Sequence, residues 1–271
     1  KIYDGDDPDL PMWMVFNTIA NGVSQGMAGR PMIQVQNTDK IVYALNGILA
    51  TGTKNESSNY GQPIINFISE KVLRMDSEGG EGGEWMGTIA QRNEAIGYRS
   101  VDYDYVIAAS RVNDIAMTVL PNAPIDDATG LPVPTIAVGT DGGTSIIKDD
   151  GTVVDIGVRD ATTVDFTDDH NIIIGLDYFG NGYLGPIPST DVSDNDYRAD
   201  YIWFHPGGSG NITHLGPGGC SDEVYVNKKA LYSSEGLSFY DADLVGFTTT
   251  SSSVAYATTS YNTGWMHGDI K

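Results

Sequence analysis

The stretch from Pro134 to Ile156 constrains the fold of this chain more than any other. It contains three short β-prone runs, which are separated by Asp141-Gly142-Gly143 and by Asp149-Asp150-Gly151. Glycine supplies the positive φ angle of tight hairpin turns, and aspartate tolerates the left-handed region while it hydrogen-bonds the nearby backbone. Three β-rich runs joined by two such turns predict an antiparallel meander.

An earlier part of the chain repeats this unit. The run ILATGT at residues 48–53 matches TIAVGT at residues 135–140, and Asn46-Gly47 before it is a strong hairpin signal. The two copies begin 87 residues apart, and a further apolar run starts at Ile172, 37 residues beyond Thr135. Because a four-stranded propeller blade occupies about 40–45 residues, we interpret the larger offset as two blades with a degenerate blade between them.

The composition favours the same fold class. The 271 residues include 33 Gly and 12 Pro, which indicates many turns, and no segment carries the 3.6-residue apolar stripe of a helix. We therefore predict an all-β chain, a β-propeller-like array of antiparallel meanders that forms a single domain over residues 1–271. A two-sheet β-sandwich is the alternative. The chain starts at Lys1 within an acidic loop, so we expect it to be a piece of a longer polypeptide.

The charge of the chain excludes several partners. The net charge is −21, and only eight of the 36 acidic residues are Glu, so the acidity comes mainly from Asp in turns. A field of this sign repels phosphate backbones, which argues against a nucleic-acid partner. No apolar run approaches the ~20 residues that span a bilayer, so membrane insertion is not expected. Cys220 is the single cysteine, so an intrachain disulfide is impossible.

The motifs of common enzymes are incomplete in this sequence. Residues 180–185 match G-x-G-x-x-G formally, but Pro186-Ile187-Pro188 follows where a dinucleotide site needs a helix. We interpret this motif as a glycine turn. Residues 207–211 fail the last position of G-x-S-x-G, and no P-loop occurs. We therefore predict that the chain is not an enzyme.

Clustered carboxylates suggest calcium more than any other cofactor. Hard oxygen ligands suit calcium, and candidate groups lie at residues 4–9, at Asp126-Asp127 and at Asp168-Asp169. Solvated turn carboxylates are the usual interpretation of such groups, and a calcium ion at the surface is the alternative. His205, His214 and Cys220 are zinc-type donors, but their spacings of nine and six residues fit no compact zinc motif. No cofactor is predicted beyond calcium at the surface.

The four tryptophans fall into two groups. Trp13 and Trp203 lie inside apolar runs and are predicted core residues. Trp85 follows the acidic glycine-rich segment SEGGEGGE, and Trp265 lies in NTGWMHGD. We predict that Trp85 and Trp265 lie in loops and are candidate binding residues, where an indole ring can stack on a sugar.

Two sets of residues carry resemblances to known families. Val138-Gly139-Thr140-Asp141-Gly142-Gly143, followed by Ile146, Lys148 and Asp149, resembles the short repeat of sensor-type β-propellers. Residues 7–16, 112–124 and 134–156 resemble virion proteins of tailed bacteriophages that infect marine bacteria. Those proteins look like long tail-associated chains with propeller-like and lectin-like parts. The resemblance covers about half of the chain, mainly before residue 160.

The resemblance implies a structural virion protein in the phage tail, and hence an extracellular particle as its location. Its partners would be other virion proteins, further copies of the chain in a homo-oligomeric assembly, and a host surface glycan. A carbohydrate-binding adhesin that uses Trp85 and Trp265 is the second hypothesis. A polysaccharide-degrading enzyme is the third, and the resemblance brings no catalytic residues with it.

Overall fold

A computed structural model describes about half of the chain as a series of strands and turns. The described residues are 2–3, 12–14, 40–53, 62–67, 71–77, 82–85, 98–100, 106–127, 130–157, 160–176, 182–193, 202–205, 212–213, 225–227, 230–233, 236–239 and 255–257. All regular secondary structure in these ranges is β, which confirms the all-β prediction. None of them contains a helix that could cross a membrane.

The first sheet is an antiparallel meander with additional strands. Its strands, in spatial order, are β3 (Lys40–Leu45), β4 (Ile48–Thr53), β5 (Gln62–Asn66), β6 (Lys71–Ser77), β7 (Gly83–Trp85) and β8 (Tyr98–Ser100). The short strand β9 (Val106–Ile107) pairs in parallel with the end of β6. A separate pair is formed by β1 (Ile2–Tyr3) and β2 (Met12–Met14).

The second sheet contains the meander that the sequence predicts most clearly. Its strands, in spatial order, are β10 (Val112–Thr118), β11 (Thr135–Thr140), β12 (Gly143–Ile147), β13 (Val153–Gly157) and β17 (Val192–Ser193). The first four pair antiparallel in chain order, and β17 joins β13 in parallel. The three runs of residues 134–156 are therefore consecutive strands, as predicted.

Two further sheets follow along the chain. The third consists of β14 (Ala161–Phe166), β15 (Ile172–Leu176), β16 (Gly182–Gly185), β18 (Ile202–His205) and β19 (Ile212–Thr213). The fourth consists of β20 (Tyr225–Asn227), β21 (Ala230–Ser233), β22 (Gly236–Phe239) and β23 (Ala255–Ala257). The neighbouring strands β15, β16 and β18 pair antiparallel, as do β20 to β23, whereas β18 and β19 pair in parallel.

The backbone contacts divide the chain into two compact units. Unit 1 comprises residues 1–161 and 188–194, which include the first and second sheets. Unit 2 comprises residues 162–187 and 195–271, which include most of the third sheet and the fourth. This grouping does not measure whether the units fold separately, so a single domain over residues 1–271 stays a prediction.

In unit 1 the first and second sheets share one apolar core. Ala50, Ile64 and Met75 of the first sheet are buried in the same cluster as Ile136 and Val138 of the second. Every residue of β11 and β12 is buried. Burial on both faces explains why these strands read as nearly continuous runs without the alternation of a half-exposed strand.

The predicted turns take the backbone conformations that their residues favour. Asn46 and Gly47 have φ angles of 49° and 78°, as a two-residue type I′ hairpin requires. Gly151 has a φ of 85°, and His170, at the end of the Asp168-Asp169 turn, has a φ of 61°. These three hairpins therefore follow the sequence prediction.

Three local predictions were wrong. The described residues between the two matched copies form no intermediate blade, because β7 and β8 extend the first sheet. The glycine motif at residues 180–185 is no simple turn, since Gly182–Gly185 forms the buried strand β16. Trp85 lies in β7 and not in a loop. In each segment, pairing with an apolar neighbouring strand outweighs the low β-propensity of glycine.

Candidate functional site

Ser145 and Asp155 form a side-chain contact that joins two strands of the second sheet. The register of β12 and β13 places them opposite each other. Ser145 Oγ donates a hydrogen bond to Asp155 Oδ1 at 2.6 Å and accepts one from the backbone N–H of Ala108 at 2.8 Å. Ser145 is fully buried. Its hydroxyl therefore links β13 to the segment that follows β9.

Asp191 extends this contact at the end of the sheet. It precedes β17, and its Oδ1 accepts the backbone N–H of Asp155 at 2.9 Å. The bond lies beside the parallel pairing of β13 with β17, in which Ile156 is opposite Val192. Asp191 is exposed, whereas Asp155 is half-buried. We call Ser145, Asp155 and Asp191 the serine–carboxylate cluster.

The environment of the cluster raises the pKa of Asp155 above that of a solvated aspartate. Burial raises the pKa of Asp155 because it removes water from the charged form, and the negative charge of Asp191 raises this pKa further. The hydrogen bond from Ser145 acts in the opposite direction, since it stabilises the carboxylate. Burial is the largest of the three effects. Asp155 therefore keeps its proton to a higher pH than a solvated aspartate does.

The geometry of the cluster suits linking strands better than catalysis. A serine nucleophile must reach its substrate and give its proton to a base, but Ser145 is fully buried and donates to Asp155. Each of the three bonds joins different strands or segments: β12 to β13, β12 to Ala108, and β13 to Asp191. The arrangement fixes the edges of the meander to the strands beside it.

Asp141 is held in a second polar group at the turn between β11 and β12. Its Oδ2 lies 3.0 Å from Arg111 Nη1, and its Oδ1 accepts a hydrogen bond from Asn113 Nδ2 at 2.8 Å. Asn113 also donates to the carbonyl oxygen of Ala161 at 3.1 Å. Both charged side chains are about one-third exposed, at 33% and 34%. The pair fixes this turn to the start of β10.

The turn between β12 and β13 is ordered by its own side chains. Asp150 Oδ1 accepts hydrogen bonds from the backbone N–H and the hydroxyl of Thr152, at 2.9 and 2.7 Å. These bonds lower the pKa of Asp150, with the hydroxyl bond as the largest cause. Lys148 Nζ donates to the carbonyl oxygen of Ser189 at 3.1 Å. The turn that the sequence predicted from Asp149-Asp150-Gly151 is thus capped by carboxylate-to-backbone bonding.

The two predicted binding residues are not brought together by the described structure. Trp85 pairs in backbone register with Val72 on one side and with Tyr98 on the other. Its side chain lies outside the described part of the structure, and Trp265 lies outside it altogether. Their role as contact residues therefore stays a prediction.

The predicted metal ligands are dispersed where they are described. Asp126 and Asp127 lie in the connection between β10 and β11, and Asp168 and Asp169 lie in the turn between β14 and β15. Within the described ranges, no group of three or more His, Cys, Asp or Glu side chains could hold a metal ion. The aspartates at residues 4–9, together with His214 and Cys220, fall outside these ranges.

The polar residues that tie the second sheet together escaped the sequence analysis, although the sequence contains a signal for one pair. If the Asp149-Asp150-Gly151 turn closes the hairpin, its register places Ser145 opposite Asp155. Two polar residues facing each other within apolar strands indicate a cross-strand hydrogen bond. Asp191 and Arg111 come from distant segments, so no local pattern could place them there.

Comparisons with known proteins add no assignment. No model of a protein family matches the chain, and no curated protein matches it.

Proposed function

We propose that this chain is a structural virion protein of a tailed bacteriophage. In this role it is a tail-associated, propeller-like module that serves subunit assembly, host contact or both, in an extracellular particle. The basis for the phage assignment is the resemblance of residues 7–16, 112–124 and 134–156 to tail-associated chains. The proposal assigns the chain no catalytic activity.

The observation that supports the propeller-like architecture in this proposal is the order of the strands. In the described residues, four sheets of four or more strands begin one after another along the chain, and each contains antiparallel neighbours that are close in sequence. The matched runs ILATGT and TIAVGT are β4 and β11, the second strands of the first and second sheets. Consecutive, similar meanders are what a propeller-like array requires. We propose that the four sheets are blades of such an array.

The β-sandwich alternative has a specific observation in its favour. The first and second sheets of unit 1 bury a common apolar core, as the two layers of a sandwich do. Adjacent propeller blades also pack face to face, so a shared core fits both architectures. Closure of the sheets into a ring distinguishes them, and an experimental structure of the chain, by crystallography or electron microscopy, tests it.

The polar contacts of unit 1 suit an assembly component. The serine–carboxylate cluster and the Asp141 group use their side chains to bind strands and turns to each other. A rigid scaffold of this kind presents its turns in fixed positions for contacts with neighbouring subunits. It needs no disulfide, in agreement with the single cysteine of the chain.

The decisive experiment is quantitative mass spectrometry of purified phage particles from a culture that produces this protein. We expect peptides of the chain at a stoichiometry of several copies per particle, together with other tail proteins. Its absence from washed, infectious particles would overturn the proposal. Peptides found only in the lysate, with none in particles, count as absence.

A carbohydrate-binding adhesin is the second candidate, and one observation favours it. Trp85 on β7 lies directly opposite Tyr98 on β8, the last strand in the described order of the first sheet. Two aromatic residues at paired positions can form a platform for a sugar ring. Binding to host polysaccharide on a glycan array, lost in Trp85→Ala and kept in Trp85→Phe, would support this function. Trp265→Ala tests the other predicted contact.

An activity assay of the purified chain tests the third hypothesis, a polysaccharide-degrading enzyme. Incubation of the chain with host polysaccharide would release reducing ends if it were hydrolytic. We expect no release above that of a heat-denatured control. Release that disappears after single Asp→Asn substitutions would instead establish an enzyme.

A further inference from the structure

Strand β3 presents an open edge of the first sheet. Among the described strands, β3 pairs with β4 alone, from Lys40 opposite Thr53 to Leu45 opposite Ile48. Open edges expose unpaired backbone donors and acceptors that can bind another strand. Proteins usually block such edges with charges, proline or a bulge, and the segment Ile41–Leu45 contains no charged residue and no proline.

The hairpin geometry identifies which residues face outward. Leu45 and Ile48 flank a two-residue turn, so they exchange backbone hydrogen bonds, as do Tyr43 with Ala50 and Ile41 with Gly52. The backbone groups of the alternate residues Lys40, Val42 and Ala44 therefore point away from β4.

The side chains agree with this alternation. Ile41, Tyr43 and Leu45 pack against the core of unit 1. Val42, in contrast, is 58% exposed, and Ala44 is exposed as well. A strand that pairs along β3 would place its own side chains beside Val42 and Ala44 and would reduce the exposure of both.

We propose that this edge binds the β3 strand of a second copy of the chain, antiparallel and across a two-fold axis at Val42. This inference rests on the proposed assembly role and names the surface that it would use. In this register Val42 faces Val42 of the second copy, and Lys40 faces Ala44. Three residue pairs then exchange about six backbone hydrogen bonds. Such pairing is isologous, because the same residues contribute from both copies.

Charge is the reason for choosing a second copy as the occupant. The chain carries −21 overall, so most surfaces of two copies repel each other. The segment from Ile41 to Thr53 contains no charged residue, and its edge can approach its own copy without opposing like charges. The two-fold register also separates the two Lys40 residues, since each is opposite an alanine.

Sedimentation equilibrium of the purified 271-residue chain tests the proposal. We expect a concentration-dependent species of twice the 29.0 kDa monomer mass. Added salt should strengthen this association or leave it unchanged, because it screens the repulsion between the acidic surfaces of the two copies. A chain that stays monomeric throughout, or a dimer that dissociates with added salt, would overturn the inference.

Substitutions at Val42 identify the edge. Val42→Pro removes an outward N–H that β4 does not use, and we expect the dimer Kd to rise at least about tenfold. Val42→Thr keeps the N–H and the branched shape, and should leave the Kd within about twofold of the native value. Val42→Lys opposes two like charges at the axis and should also dissociate the dimer, which covers the case in which the proline variant does not fold. If all three variants dimerised with the same Kd as the native chain, the β3 edge would be ruled out as the interface.

The two proposals fail separately. A chain that is present in particles but monomeric in solution keeps the virion assignment and loses the β3 pairing. A chain that dimerises through β3 but is absent from particles keeps the pairing and loses the virion assignment.

Discussion

Gly52 is a position at which the two sheets of unit 1 leave no room for a side chain. A Cβ atom at this residue would lie 2.4 Å from Cγ1 and 2.6 Å from Cβ of Val112. Both residues are buried, and Val112 belongs to the shared core. Gly52→Ala must therefore displace one sheet from the other. We expect a loss of about 1–3 kcal/mol in the free energy of unfolding, measured by chemical denaturation.

The variant Val112→Ala provides the control for this contact. It removes the two methyl groups next to the new Cβ, so Gly52→Ala should cost less in that background than in the native chain. A double-mutant cycle should give a coupling of about 0.5–3 kcal/mol. Additive effects of the two substitutions would show that Gly52 is needed for another reason.

Asp155 should make the stability of the chain depend on pH in an unusual direction for an aspartate. Its pKa in the folded chain is raised above that of a solvated aspartate by burial and by Asp191, so the folded state holds the proton over a pH range in which the unfolded state has lost it. By linkage, this contribution to stability is present below the unfolded pKa and is lost as the pH rises through the folded pKa. Asp155→Asn, which keeps an acceptor for Ser145, should flatten the dependence.

The free energy of unfolding is measured by urea titration at a series of pH values from about 3.5 to about 7. This series covers the range in which carboxylates titrate. The native chain should lose more stability than Asp155→Asn as the pH rises. Asp191→Asn is the matched control, because it removes the neighbouring charge and should weaken the dependence only in part. Parallel curves for the native chain and Asp155→Asn would contradict the raised pKa.

At the scale of the elements, hairpins were the most predictable features of the chain. The Asn46-Gly47 turn closes β3 and β4 with both residues at positive φ, and Asn46 Nδ2 also donates to the carbonyl oxygen of Pro132 at 2.8 Å. The conformation of the turn depends only on local residues, so the Asn-Gly dipeptide was sufficient to predict it. The bond to Pro132 crosses 86 positions of sequence, so only the folded chain reveals it.

Two substitutions separate these contributions. Asn46→Ala loses the bond to Pro132 and places an alanine at positive φ, and we expect it to cost about 1–3 kcal/mol of stability. Asn46→Gly loses the same bond but adopts the turn without strain, so it should cost less than the alanine variant. Thermal and chemical unfolding of both variants measure the difference. An alanine variant as stable as the glycine variant would show that the backbone strain is negligible.

Strands rich in glycine were the least predictable elements. Strand β16 is Gly-Tyr-Leu-Gly, and its Tyr183 and Leu184 are 0% and 2% exposed. A four-residue run with glycine at both ends shows neither alternation nor a β-branched pattern, so its sequence indicates a turn. Pairing with β15 and β18 makes it a strand. The same reason explains β7, which consists of the last two residues of the SEGGEGGE segment and Trp85.

At the scale of the whole molecule, the prediction of a single domain has a direct test in solution. A compact 271-residue chain has a radius of gyration of about 18 Å, whereas two units joined by a flexible connection give a larger value. If the chain is the single domain that we proposed, small-angle X-ray scattering of the monomer should give a value near this compact limit. A radius well above this value, with an extended distance distribution, would contradict the single domain.

The Val42→Lys variant serves as the monomeric reference in that experiment. It removes the proposed pairing through β3, so any excess in the radius of gyration cannot come from dimers. The native chain and this variant are compared at high and at low concentration. If the radius of gyration of the native chain is larger only at high concentration, the difference is due to association and not to an open chain.

The amino-acid sequence by itself determined the local features of this protein: the all-β class, the Asn-Gly and Asp-Gly hairpins, and the meander of residues 134–156. These follow from the conformational preferences of one residue or of near neighbours, and they need no distant contact. The match of ILATGT with TIAVGT also placed β4 and β11 at equivalent positions in two sheets.

The tertiary structure alone decided which segments pair across long distances in the chain. It added β7 and β8 to the first sheet, made a strand of Gly182–Gly185, and joined Asp191 to Asp155 and Arg111 to Asp141. Burial of Tyr183 and Leu184 between neighbouring strands compensates the weak β-propensity of glycine in β16, and the hydrogen bond from Ser145 offsets part of the desolvation of Asp155. The bonds of Asp191 and Arg111 join residues that are far apart in sequence, so no short pattern encodes them.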